Sequence, residues 1–418
     1  MNQRLGSVRC RHSAVCQLFR ELKIDHRYLG AQTFTCPPEV LYLYELIVSN
    51  ISITDHKAFC RRLSYTIKNE KEELLMLDDL KQIHQKDPED ALGVVEKQWQ
   101  QLQHDFAVDA SRFHDIHNIV QAGMGGSAWP AVYTVTWGQP TVPFEIVKDY
   151  SLPAYVGANT LFIASSYSGN TEETLSALNE AESKGAQIAV VAAGGKLADI
   201  AHEKGYVFYE IPGGIQPRMS SFFFLVAMAQ LLEPLGLLPE GKLAELRSAG
   251  DWLKDQITSW GPTTPTQQNA SKLLAHELIG KSIVVYSGPK LFPAANKFKI
   301  CLNENAKNVA WVNQFPEFNH NEFIGWTEQP EKKPYAVVEI RSNLEHERVQ
   351  KRFVVSEKLL SGKRPAPNVV VPVGDTHLQQ LLWASNFCDF VSVYVAILNG
   401  VDPTPVALVE KLKQELNK

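Results

Sequence analysis

Half of the stretch SSYSGNTEET (165–174) is Ser or Thr, with Gly169 and Asn170 at its centre. The run LFIA (161–164) before it is apolar, and apolar positions recur at helical spacing after it. A helix that follows a parallel strand turns its N-terminus toward the strand's end. There the unsatisfied N–H groups and the helix dipole favour a small anion. Ser166, Ser168 and Thr171 add hydroxyl donors, and Gly169 lets backbone come close. Asn170 with Glu173 three residues on resembles a capping box, so a well-capped helix start is the competing reading. The hydroxyls exceed what a cap uses, and the expected guest is a phosphate.

A second glycine-rich turn, GMGGSA (123–128), fits G-x-G-x-x-A, and Glu145 follows at a distance suited to a ribose-binding acid. A nicotinamide dehydrogenase is therefore one reading. The turn also precedes the hydroxyl loop by one strand–helix–strand step, and in a parallel sheet both turns emerge on the same edge. Together they suit a compact sugar phosphate, with Gly126 and Ser127 against the sugar. PRMSS (217–221) opens a long apolar helix with proline at its first turn. Arg218 there is either a surface residue or a guanidinium placed to stabilise an oxyanion.

NENAK (303–307) and PEFNHNEF (316–323) supply Glu304 and His320. A carboxylate and an imidazole are what proton abstraction beside a carbonyl requires. Taken singly, each also reads as a helix-surface Glu and a loop His. The amides of Asn319 and Asn321 are placed to fix the imidazole tautomer. In the final helix Val406, Val409, Leu412 and Leu416 form an apolar stripe, with Lys413 on its edge and Lys411 opposite. Lys413 is the candidate to hold charge in a site. No HExxH-type spacing occurs, so no metal is expected.

The elements that must carry these residues follow an α/β rhythm. NIVQAG, PFEIVKD, TLFIASS, QIAVVAAG and YVFYEIP read as strands alternating with helices, which indicates a parallel sheet. GPTTPTQQ (261–268) reads as a linker, after which the rhythm restarts with SIVVYSG, KPYAVVEI and NVVVPVG. The expected fold is α/β, two tandem α/β/α sandwich units with parallel sheets, spanning 76–260 and 261–418.

The chain has 418 residues, 44% hydrophobic and 21% charged, an ordinary globular composition long enough for two domains. A net charge of −5 disfavours nucleic acid and anionic membrane as partners, and the longest apolar block, FFFLVAMAQLL, reads as a buried helix rather than a membrane span. Of six cysteines, four lie in the first 60 residues and none form a CxxC pair, which with no secretory signal fits a reducing cytoplasm. Residues 1–62 carry nine Lys/Arg against five Asp/Glu, opposite in sign to the rest. Residues 1–75 are expected to be an extension without catalytic residues, with disorder as one reading of it.

GMGGSA, SYSGNTEET, PRMS, LNENAK, PEFNHNE and GVDPTPVALVEKLK, in this order, resemble the archaeal-type bifunctional phosphoglucose/phosphomannose isomerases of the sugar isomerase (SIS) superfamily. The resemblance runs from about residue 76 to the C-terminus. It implies two SIS domains and an aldose–ketose isomerase that interconverts glucose 6-phosphate and mannose 6-phosphate with fructose 6-phosphate through a cis-enediol. Gly126 and Ser127 would contact the sugar, and Ser166, Ser168 and Thr171 would bind the phosphate. Arg218 would stabilise the enediolate and Glu304 would be the base. His320 would assist ring opening from the second subunit of a homodimer. Lys413, or Lys411 in another register, would lie near the ring oxygen, and Thr404 near C2. No metal or organic cofactor is implied, because the substrate carbonyl itself acidifies the neighbouring C–H. A sugar-phosphate sensor without catalysis, built on the same domains, is the alternative, although Glu304 and His320 favour the enzyme.

Overall fold

β1 (Asn118–Ala122), β2 (Phe144–Val147), β3 (Thr160–Ser166), β4 (Gln187–Ala192) and β5 (Val207–Glu210) form a five-stranded sheet in the order β2-β1-β3-β4-β5. Every pairing is parallel. β6 (Ser282–Ser287), β7 (Ala310–Gln314), β8 (Tyr335–Ile340) and β9 (Asn368–Val370) form a second parallel sheet in the order β7-β6-β8-β9. These come from a computed structural model that describes residues 76–328 and 334–416. The expectation for residues 1–75 lies outside the described residues. Both sheets belong to one compact unit, Leu80–Lys418.

The inner strands are largely apolar on both faces because helices cover both sides of a parallel sheet. β3 is buried at every position. One core lies between the first sheet and the helix Glu172–Ser183, where Ala177, Leu178 and Ala181 sit with Val120, Phe162 and Val190. A separate core gathers Tyr286, Phe315, Phe318, Val337 and Phe353 beneath the segment that carries His320.

The helix His377–Leu398 organises the middle of the molecule and packs on the helices Lys242–Ile257, Ala270–Leu278 and Phe292–Glu304. The sequence reading missed that this helix is long and apolar enough to cross a membrane, yet its apolar window is wholly buried inside the protein. Asp389 on it is buried against Lys297, and a charge pair of this kind belongs in a protein core rather than in lipid.

Three further expectations change. Residues 88–106, whose apolar spacing suggests one amphipathic helix, form two short ones instead, Ala91–Glu96 and Gln98–Gln101, with Lys97 between them. β7 was not anticipated, because AWVNQ is short, partly polar and lies on the sheet's edge with Trp311 exposed. Of the stripe expected in the last helix, Ala407–Leu416, Val409, Leu412 and Leu416 are exposed and meet no core among the described residues, while Val406 precedes the helix and is half-buried. Amphipathic spacing specifies a face, but only tertiary packing decides whether anything covers it.

Candidate active site

The hydroxyl loop leaves β3 at Ser166 and enters the helix Glu172–Ser183 at Thr171. The Ser166 hydroxyl lies 2.8 Å from that of Thr171 and 3.5 Å from that of Ser168. Three hydroxyls thus gather about one point at a helix N-terminus, whose first N–H groups no intrahelical carbonyl can reach. The capping-box reading fails. Thr171, not Asn170, stands at the cap position, and it makes no side-chain cap bond. The Asn170 side-chain oxygen Oδ1 instead accepts from the Lys196 backbone N–H at 3.0 Å, tying the loop to the start of the helix Gly195–Lys204. Gly169 is required there: its φ is +68°, and a Cβ would lie 1.7 Å from the Gly194 carbonyl oxygen.

The turn GMGGSA meets this loop directly. The Ser127 hydroxyl accepts from the Tyr167 N–H at 3.0 Å. The Ser127 carbonyl accepts from Gln121 Nε2 at 3.0 Å and from the Ser165 hydroxyl at 2.9 Å. Ser127 is therefore held from below by strand residues and sits against the loop's first peptide. At Gly126 a Cβ would lie 3.3 Å from the backbone of Pro217 and Arg218. The missing side chain lets the two segments close on one another.

Arg218 is the hub. Its side chain is 2% exposed, in a short turn, Pro217–Met219, that precedes the buried helix Ser221–Leu232. Its five N–H groups are all used. Nε donates to Asn305 Oδ1. One terminal nitrogen donates to Glu304 Oε2 at 3.1 Å and to Gln216 Oε1 at 3.2 Å. The other donates to the carbonyls of Pro403 at 2.8 Å and Thr404 at 2.9 Å. A buried guanidinium saturated in this way is fixed in plane and direction. Glu304, the last residue of the helix Phe292–Glu304, leaves 34% of its side chain exposed. One carboxylate therefore has a desolvated cation behind it and an open side in front.

The structure brings together Arg218, Glu304 and the Thr404 backbone, places Gly126 against Arg218, and joins Ser127 to the hydroxyl loop. Thr404 is buried, and its N–H donates to Asp402 Oδ1 at 2.9 Å. It does not cap the last helix, since the carbonyl of Val406 accepts the first bonds there. His320 ends the turn Glu317–His320, is exposed, and has no hydrogen-bond or ion-pair partner among the described residues. Its neighbours do not fix its tautomer. The Asn319 amide donates to Ser356 at 2.8 Å, and the Asn321 amide donates to Glu317 at 2.6 Å. Lys413 is 57% exposed and pairs with Glu410 at 2.7 Å on the uncovered helix.

Several participants carried no signal in the sequence. Gln216 and Asn305 are ordinary polar residues until Arg218 lies between them. Lys307 donates to the Asn305 carbonyl at 3.2 Å and to the Asp402 carbonyl, which ties the end of the Phe292–Glu304 helix to the 402–404 loop. Burial and the neighbouring Arg218 hold its ammonium below the usual lysine range, against the pull of Asp402 and Glu304. The motif NENAK contained two of these residues, but its spacing alone gives neither a role.

Residues 267–416 match the family described as bacterial phospho-glucose isomerase C-terminal SIS domain. The chain is 34% identical over 334 residues to the bifunctional phosphoglucose/phosphomannose isomerase of Aquifex aeolicus, covering 79% of this chain and 99% of that protein. It is 35% identical over 309 residues to the enzyme of that name from Caldicellulosiruptor bescii, covering 72% and 90%. In fold it is similar to a glucose-6-phosphate isomerase-like protein from Thermus thermophilus, with TM-score 0.56 at 17% identity over 81% of this chain and 98% of that one. With its sheet-edge hydroxyl loop and its Arg218–Glu304 pair, the chain belongs to the family of bifunctional phosphoglucose/phosphomannose isomerases.

Proposed function

We propose that the protein interconverts glucose 6-phosphate and mannose 6-phosphate with fructose 6-phosphate through a cis-enediol held at the edge of the first sheet. The observation that carries this reading is the contact between buried Arg218 and half-open Glu304. A base that moves a proton between C1 and C2 must be ionised, must reach the substrate, and must have a cation beside the oxygen that gains charge. When Glu304 takes the proton, its charge passes to the substrate oxygen. The terminal nitrogen of Arg218 that faces Glu304 is then placed to donate to that oxygen, with the guanidinium held by its other partners. The phosphate would sit on Ser166, Ser168 and Thr171, and the sugar against Gly126 and Ser127. A coupled assay of the purified chain with each aldose phosphate tests the reading: turnover of both is expected, and binding without turnover would favour the sensor.

We place the working boundaries at 76–260 and 261–418, with residues 1–75 outside the catalytic part, and the enzyme in the cytoplasm. We assign His320 to ring opening in the site of a second copy. Its exposure and lack of a partner among the described residues support that reading. Mixing Glu304→Gln and His320→Asn protomers, each inactive alone, is then expected to restore activity in heterodimers. No recovery after subunit exchange would assign each site to one chain. Lys413 would serve the same site only if a second copy covers the exposed helix.

Thr404 is assigned to tolerance at C2, the only centre at which the two aldoses differ. Arg218 fixes its carbonyl, so a longer side chain there cannot easily back away. Thr404→Gln is expected to lower mannose 6-phosphate turnover about 10-fold more than glucose 6-phosphate turnover, the scale of a steric misfit in a shaped pocket. Equal loss of both activities would remove Thr404 from the specificity argument.

A further inference from the structure

We propose that Asn305 is a positioning residue for the isomerisation: its amide fixes the Arg218 guanidinium in the plane from which it serves Glu304 and the enediolate oxygen. This rests on the isomerase reading above.

Asn305 is fully buried immediately after Glu304. Its side-chain oxygen Oδ1 accepts from Arg218 Nε. Its Nδ2 donates to the Ser392 hydroxyl at 2.8 Å, and Ser392 donates to the Asp389 backbone carbonyl at 2.7 Å. The Asp389 carboxylate in turn holds buried Lys297 and accepts from Cys301 Sγ at 3.2 Å. A polar line thus runs from the centre of the His377–Leu398 helix through one amide to the guanidinium.

The direction of each bond matters. Nε is the donor on the stem of the guanidinium, so the acceptor facing it sets the rotation of the whole plane. The other four donors go to Glu304, Gln216 and the backbone carbonyls of Pro403 and Thr404. Gln216 and the 402–404 loop lie outside helices and strands. Asn305 is the one partner tied, through Ser392, to the buried central helix. Because Ser392 spends its hydrogen on the Asp389 carbonyl, it can only accept from Asn305. That fixes which end of the amide faces Arg218. Without it, Arg218 keeps its charge and burial but loses the restraint on its angle. A misplaced donor costs most where charge develops in the reaction and little in ground-state binding.

The test compares two probes. A sugar-phosphate hydroxamate mimics the planar, partly anionic enediolate; a hexitol 6-phosphate has the phosphate and hydroxyls but no such centre. In Asn305→Leu, hydroxamate affinity is expected to fall about 10- to 100-fold, the loss typical of a bond to a charged group, with hexitol phosphate affinity within about twofold of wild type. kcat is expected to fall with the hydroxamate affinity while KM holds. Ser392→Ala removes one oxygen and leaves the packing otherwise intact, so it decides the matter should Asn305→Leu not fold; the same selective loss, about threefold or more, is expected. A parallel loss of both probes, or no loss of either, would overturn the role of Asn305. A wild-type protein that binds the hydroxamate no better than the hexitol phosphate would instead overturn the isomerase reading itself.

Discussion

Glu304→Gln is expected to lower kcat by roughly 10² to 10⁴-fold with both aldose phosphates, the contribution of a positioned general base. Glutamine keeps the shape and can still accept from Arg218, so the guanidinium retains its five bonds. What is lost is the group able to take a proton. KM for either sugar phosphate is expected to change little, because the proposed phosphate contacts are the hydroxyls of Ser166, Ser168 and Thr171 rather than Glu304. The same variant should no longer exchange the C2 proton of substrate with solvent, which NMR in deuterated water measures directly. Turnover near wild type would assign the base elsewhere and leave the Arg218–Glu304 pair as a structural contact.

The second large effect is on the hydroxyl loop. Ser168→Ala with Thr171→Ala removes two of the hydroxyls proposed to donate to the phosphate dianion. Bonds to charged groups are worth roughly 1.5–3 kcal/mol each. Together this corresponds to roughly 10² to 10⁴-fold in affinity for sugar phosphates, with a parallel loss for inorganic phosphate as a competitor. Neither hydroxyl caps the helix Glu172–Ser183. The Ser168 hydroxyl accepts a 3.3 Å bond from the Asn170 N–H, and that of Thr171 bonds Ser166. Their removal is therefore expected to leave the melting temperature nearly unchanged. A fall in melting temperature with phosphate inhibition intact would return the loop to a purely structural role.

These two variants probe the parts of the site most legible in the linear chain. A run of hydroxyls between a buried strand and a helix has meaning without coordinates, because strand, turn and helix are local and their geometry fixes what lies at the mouth. The strand–helix alternation that announced two parallel sheets is equally local, and eight of the nine strands lie within segments it marked. The exception, β7, is a partly polar edge strand, and at an edge the two-sided burial that makes the other strands recognisable is absent.

The order of residues set the chemistry available: a hydroxyl-rich helix mouth, an acid and an imidazole at fixed positions, and an arginine at the head of an apolar helix. What each of these is joined to came from folding. Arg218 and Glu304 are 86 positions apart, and Arg218 and Thr404 186, so no periodicity could pair them. Asn170 fits a cap in sequence, but across the folded sheet edge its Oδ1 accepts from the Lys196 N–H in the first turn of the helix Gly195–Lys204. The last helix has a regular apolar stripe and, among the described residues, no core that receives it. Spacing records which side chains share a face. Which surface meets that face depends on contacts between segments far apart in the chain, and those exist only once the chain has folded.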